Sequence, residues 1–154
     1  MKSFKFRMQT VLDQRERRET VAKQSFAEAQ AALGRAQKLL EELQDVRDAL
    51  IAELSSLRES SFDPFEARVY QEYLQTIRQS LREQEDLCRD LSQTCEAQKL
   101  HMIGTSQDRQ ALAKVRDRDQ TAHQRESLRV EQGLLDEMAA SRHSHRQRGG
   151  DSLC

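Results

Sequence analysis

The stretch Ser60-Ser61-Phe62-Asp63-Pro64-Phe65-Glu66 decides the fold, because it is the one strong punctuation mark in a chain otherwise built from helix formers. Asp63 is suited to cap a new helix, and Pro64 fits its first position, where a missing N–H costs nothing. Glu66 stands third, where a capping-box acceptor belongs. One helix therefore ends near residue 60 and another starts at 64.

Upstream of this break, apolar residues recur at alternating steps of four and three. They are Ala22, Phe26, Ala29, Leu33, Ala36, Leu40, Leu43, Leu50, Leu54 and Leu57, and Arg47 is the one exception in the series. Downstream the same stepping returns in Tyr70, Leu74, Ile77, Leu81, Gln84, Cys88, Leu91, Cys95, Gln98 and Met102, with two glutamines as weak points. This spacing is the seam of a coiled coil. Two helices with such stripes and a connection of a few residues can only fold back on each other. The expected fold is all-α, an antiparallel coiled-coil hairpin with the second helix longer. The expected bounds are helix 1 over about 4–60, a turn at 61–64 and helix 2 over about 64–140, so that 1–142 is one helical hairpin and 143–154 a disordered tail. Centring the turn near residue 63 sets Leu57 opposite Val69 or Tyr70, and Ala22 opposite Gly104.

Composition supports a seam rather than a broad core. Of 154 residues 33% are charged, 36% hydrophobic and 5% aromatic, with a single proline and no tryptophan. That polarity would also suit a disordered chain, which the regular apolar spacing rejects. No window reaches the run of about 20 apolar residues that a spanning helix needs, and the N-terminus lacks the apolar segment of a secretion signal, so a cytoplasmic location without direct membrane insertion is expected. Cys88 and Cys95 lie seven apart on one helix, about 10 Å from each other by helical rise, too far to bridge. Cys154 completes a set that fits a reducing compartment.

No phosphate-cradling glycine loop, paired Cys or His at metal spacing, or His-Glu-x-x-His motif occurs in the sequence. His143 and His145 sit in a polar tail. Catalytic residues, a metal site and cofactors are accordingly expected to be absent. Nucleic-acid binding is disfavoured, because Arg116, Arg118, Arg125 and Arg129 are interleaved with Asp117, Asp119, Glu126 and Glu131.

Two features point to protein partners. The second helix outruns the first, and its extension carries Leu128, Leu134, Leu135 and Met138, a stripe that wants a mate from another molecule. Charge is also uneven: residues 1–40 hold nine Lys/Arg against four Asp/Glu, while residues 41–66 hold two against eight. Arg15, Arg17 and Arg18 cluster within one turn where seam positions 15 and 19 are polar, so that segment is expected to be poorly buried.

Phe4-Lys5-Phe6-Arg7-Met8-Gln9-Thr10-Val11-Leu12, followed by Arg15, Glu19 and Ala22, resembles the start of the flagellar FliJ protein family. Tyr70-Gln71-Glu72-Tyr73-Leu74-Gln75-Thr76-Ile77 and the closing Glu131 with Leu135-Asp136-Glu137-Met138-Ala139 are similar to that family too, and the likeness spans about residues 4–142. Met8 stands where the family usually has Leu, and the Gly-Gly tail after residue 148 is not typical. The resemblance implies a peripheral component of the flagellar type III export apparatus at the cytoplasmic face of the cell membrane, a coiled-coil rod and chaperone that inserts into the export ATPase ring, couples it to the export gate and supports flagellum assembly and motility. Its implied partners are the ring of export ATPase subunits, the cytoplasmic domain of the membrane export gate and export chaperones. Arg15, Arg17, Arg18, Leu128, Leu134, Leu135 and Met138 become candidate ring contacts, and Tyr70, Tyr73 and Ile77 candidate gate contacts. Free, the hairpin should be a monomer. The rival readings are the equivalent stalk of a virulence-type secretion injectisome and a generic self-associating coiled coil. A rotary ATP synthase stalk is disfavoured, since residues 61–65 leave no room for an inserted domain.

Overall fold

The structure is a computed structural model that describes residues 3–59 and 63–150, with side chains described as far as residue 143. It consists of two helices, α1 (Gln9–Glu59) and α2 (Pro64–Gly150), of 51 and 87 residues. The expected second helix is thus the longer one. Helix α1 begins at Gln9 rather than near residue 4, and Gln9 N donates to Phe6 O at its first turn. Ahead of it Phe4 and Phe6 are half-buried while Ser3, Lys5 and Arg7 are exposed, the two-residue alternation of extended chain rather than helix. Helix α2 runs to Gly150, past the residue 140 expected for its end. The tail expected at 143–154 reaches outside the described residues from 151 onward.

Asp63 starts α2 as its chemistry requires. Its Oδ1 accepts from Phe65 N at 2.9 Å, and its carbonyl accepts the first helical bond from Ala67 N at 3.2 Å. Pro64 occupies the first helical position and Glu66 lies in the first turn. The expected turn residues Ser60, Ser61 and Phe62 lie outside the described residues.

The described chain divides into two compact units, one of Met1–Glu16 with Gln107–Cys154 and the other of Arg17–Ser106. In the Arg17–Ser106 unit the arms run antiparallel: Tyr70 meets Glu53, and further along α2 Gln84 meets Ala36. Every seam position of the sequence reading, including Arg47, Gln84 and Gln98, is buried or half-buried there. Ala22, Ala36, Leu74, Ile77 and Leu81 form the most enclosed part, joined by Ala67 one step before Tyr70. The register differs from the expected one by about one helical turn. Tyr70 reaches Glu53 rather than Leu57. Gln84 is 8% exposed and donates its Nε2 to Ala36 O at 2.8 Å, which satisfies an amide the seam would otherwise strand. Helix α2 passes through Gly104 without interruption, and a Cβ there would meet nothing within 4 Å.

The unit of Met1–Glu16 and Gln107–Cys154 has a small core. Leu12 is fully enclosed and Leu112 is 8% exposed. Arg15 donates Nη1 to Asp108 O at 2.7 Å, and farther out Phe4 tilts against the His123 ring at 5.6 Å. The two arms run antiparallel here as well.

Candidate partner-binding surfaces

Among the described residues no cluster of three or more His, Cys, Asp or Glu side chains is placed to hold a metal ion, and no helix is long and apolar enough to cross a membrane. The features left to consider are surfaces, which the fold sorts into three.

The first is the far part of α2. Its inward face stays half-buried through His123, Ser127 and Glu131 and then loses all cover: every side chain from Gln132 to His143 is exposed. Leu128, Leu134, Leu135 and Met138 are 65%, 57%, 64% and 55% exposed. A helix that presents this much aliphatic surface to water leaves about 25 cal/mol per Å2 unrealised until something covers it. The extended start of the chain reaches into this region, for Ser3 and Phe4 line an open groove with His123, Gln124, Ser127, Leu128 and Glu131. Because α1 starts at Gln9 and not near residue 4, Phe4 is free of the helix and pairs with His123, a contact outside the seam stepping. The alternation of Phe4 and Phe6 with Lys5 and Arg7 was the available signal.

The second surface is the arginine cluster, and here the fold separates its members. Arg17 and Arg18 are exposed, whereas Arg15 is half-buried and already engaged with the Asp108 carbonyl. The segment is less open than its polar seam positions suggest. Glu19 is 5% exposed, covered by the packing of the arms, and its carboxylate pairs with Lys23 at 3.0 Å one turn on. A long charged side chain can lie in a seam when its aliphatic part packs and its head finds a partner.

The third lies at the start of α2. Of the residues proposed to meet an export gate, Ile77 is 7% exposed and belongs to the seam, and Tyr70 is half-buried with its hydroxyl donating to Glu53 Oε1 at 3.0 Å. That hydrogen bond, and then the Glu53 charge, raise the phenol above its ordinary 10.0. Tyr73 is 50% exposed and continues a row at four-residue spacing with Phe65 and Val69, at 74% and 51%. Phe65 and Val69 were not singled out in the sequence because they fall outside the seam stepping.

Comparison with known proteins decides the class. The pattern of the flagellar FliJ protein family matches residues 4–148, almost the whole chain. The chain belongs to the flagellar FliJ protein family. This FliJ-family member is thereby a component of a type III export apparatus, in a family of structural export proteins rather than enzymes. No curated protein matches it. Among solved structures it is similar to CT670 from Chlamydia trachomatis, described as a YscO homolog, at 16% identity and a TM-score of 0.55, over 95% of this chain and 99% of that one. At that identity the likeness speaks for the fold, which both chains share along nearly their full lengths.

Proposed function

We infer that this FliJ-family chain couples the ring of export ATPase subunits to the cytoplasmic domain of the membrane export gate, and so supports flagellum assembly and motility. The observation that carries the reading is the uncovered run of α2 beyond Glu131, with Leu134, Leu135 and Met138 more than half exposed on a helix that continues to Gly150. A protein of this family has no reason to keep such a stripe in water unless a partner covers it. The ring contacts are Leu128, Leu134, Leu135 and Met138 on α2, and separately Arg17 and Arg18 on α1. Their guanidinium groups suit carboxylates and carbonyls lining a pore. Arg15 holds the hairpin together and serves the ring only indirectly.

The gate contact is Tyr73 with Phe65 and Val69. Tyr70 and Ile77 support that surface from within the seam. The chain acts as a monomer, peripherally at the cytoplasmic side of the membrane, and also engages export chaperones. Co-purification from the native cell with identification of the bound ATPase tests the reading. Full-length protein should retain the ATPase, and a chain ending at Glu131 should lose it and fail to restore motility to a null strain. Restored motility by the shortened chain would refute the assignment of the α2 extension.

A further inference from the structure

The two flanks of the seam in the Arg17–Ser106 unit are chemically unlike. In an antiparallel pair, residues that directly precede their helix's alternate seam positions fall on the same side of both helices. On α1 these are Ala32, Leu39 and Val46, which precede Leu33, Leu40 and Arg47; on α2 they are Tyr73, Ser80 and Leu87, which precede Leu74, Leu81 and Cys88. Leu39 and Val46 are 46% and 39% exposed, and Leu87 is 46% exposed. Ala32 and Ser80 are half-buried between them. The opposite flank carries Gln30, Gln37 and Gln44 on α1 and Arg78, Glu85, Ser92 and Lys99 on α2, with Ile51 as the apolar exception.

The register fixed by the Tyr70–Glu53 and Gln84–Ala36 contacts interleaves the apolar flank into one continuous strip. Val46 falls between Tyr73 and Ser80, and Leu39 between Ser80 and Leu87. From Val46 to Ala32 the strip is about 21 Å long by helical rise. A coiled coil whose apolar set widens from the seam onto one flank no longer has a two-stranded optimum, because that flank forms with the seam a shallow groove for a third helix.

Charge selects the occupant. The next residues outward on this side are Glu28, Arg35 and Glu42 on α1 and Glu83 and Asp90 on α2, all exposed, so four carboxylates and one guanidinium border the strip. A second copy of the chain laid on this flank would set carboxylates against carboxylates. A helix with an aliphatic stripe and Lys or Arg on either side of it would meet the four carboxylates in opposite sign and Arg35 alone in like sign.

We propose that the Ala32–Leu39–Val46/Ser80–Leu87 flank is a docking groove for one amphipathic helix of a partner protein, about four turns long and basic along both margins of its apolar stripe. The bound state is a local three-helix bundle. This rests on the packing of Arg17–Ser106 alone; Tyr73, part of the gate surface above, borders the groove at one end and is not needed for it.

The test uses the full-length protein and a labelled synthetic helical peptide of about 18 residues, four turns to span the strip and about half a turn beyond it at each end. Its Leu residues follow heptad spacing and Lys flanks them; a matched peptide carries Glu in place of Lys. Binding read by fluorescence anisotropy should be at least about tenfold tighter for the Lys-flanked peptide. L39E/L87E should weaken that binding by about tenfold or more, while Q37E/S92E, which adds the same charge to the opposite flank, should bind like wild type. Helicity and melting of each variant are compared by circular dichroism. Should L39E/L87E melt early, the neutral L39Q/L87Q, expected to lose affinity through apolar area alone, takes its place. Equal binding of both peptides to wild type, or equal loss in both charge variants, would overturn the groove. So would a wild-type dimer in sedimentation that L39E/L87E converts to monomer, since a second copy would then be the occupant.

Discussion

Arg47→Leu should make this protein more stable, and the structure shows why the sign is positive. Arg47 holds a seam position between Leu43 and Leu50, level with the buried Leu74 and Ile77 of the other arm, yet among the described residues its guanidinium pairs only with the adjacent Asp48 on its own helix, at 2.8 Å. Their side chains are 36% and 62% exposed, so that pair contributes at most about 0.5 kcal/mol. A leucine would bury about as much as its half-buried seam neighbours, roughly half of the 1.5 to 3 kcal/mol of full burial. Part of this gain is already realised by the arginine's methylene stem. The net stabilisation is about 0.5 kcal/mol, or about 1–2 °C in melting temperature for a chain of this length. Urea titration followed by circular dichroism at 222 nm reads the change, and Arg47→Glu should move the midpoint the other way. A lower midpoint for Arg47→Leu would mean that Arg47 supports the hairpin through a contact across the arms, and the seam reasoning at this position would be wrong.

Other perturbations probe separate parts of the account. Leu12→Ala empties the most enclosed site of its unit and should cost about 2–4 kcal/mol, seen as early proteolysis near the start of the chain. Asp63→Ala removes the acceptor for Phe65 N and should cost about 1 kcal/mol, measured by thermal melting. Gly34→Ala and Gly104→Ala meet open space inside helices and should each add about 0.5–1 kcal/mol; a loss at either would reveal a contact at that face. Because the Tyr70 phenol is raised above 10.0 in the fold, its neutral form is the stabilised one. Its contribution is present below pH 10 and lost as pH climbs through the folded value, so Tyr70→Phe should flatten the alkaline end of the stability curve.

What could be read from the sequence was what has a period. The four-three stepping of Ala22 to Leu57 and Tyr70 to Met102 located both seam faces, and Asp63-Pro64 located the start of α2, because each rests on local chemistry that tertiary packing does not override. Register was less legible, since it can shift by a helical turn with little change in the apolar pattern. Site residues fared unevenly for the same reason. Ile77 was both a seam residue and a candidate gate contact, and the structure buries it in the seam at 7% exposure. Glu19 is buried although charged, because Lys23 lies one turn away and the arms cover its stem. The apolar flank of Leu39, Val46 and Leu87 shows only when both helices are placed together, for neither strand of it is continuous in sequence.

The most direct test of the coupling account is ATPase stimulation measured across a salt series with wild type and R17E/R18E. Both arginines are exposed, so folding should stay within about 0.5 kcal/mol of wild type. Stimulation by the variant should fall well below wild type at low salt, and the gap should narrow as salt shortens the reach of the charges to about 8 Å at physiological ionic strength. Equal stimulation by the two proteins at low salt would contradict the account and leave the basic stretch of α1 as a solvated face.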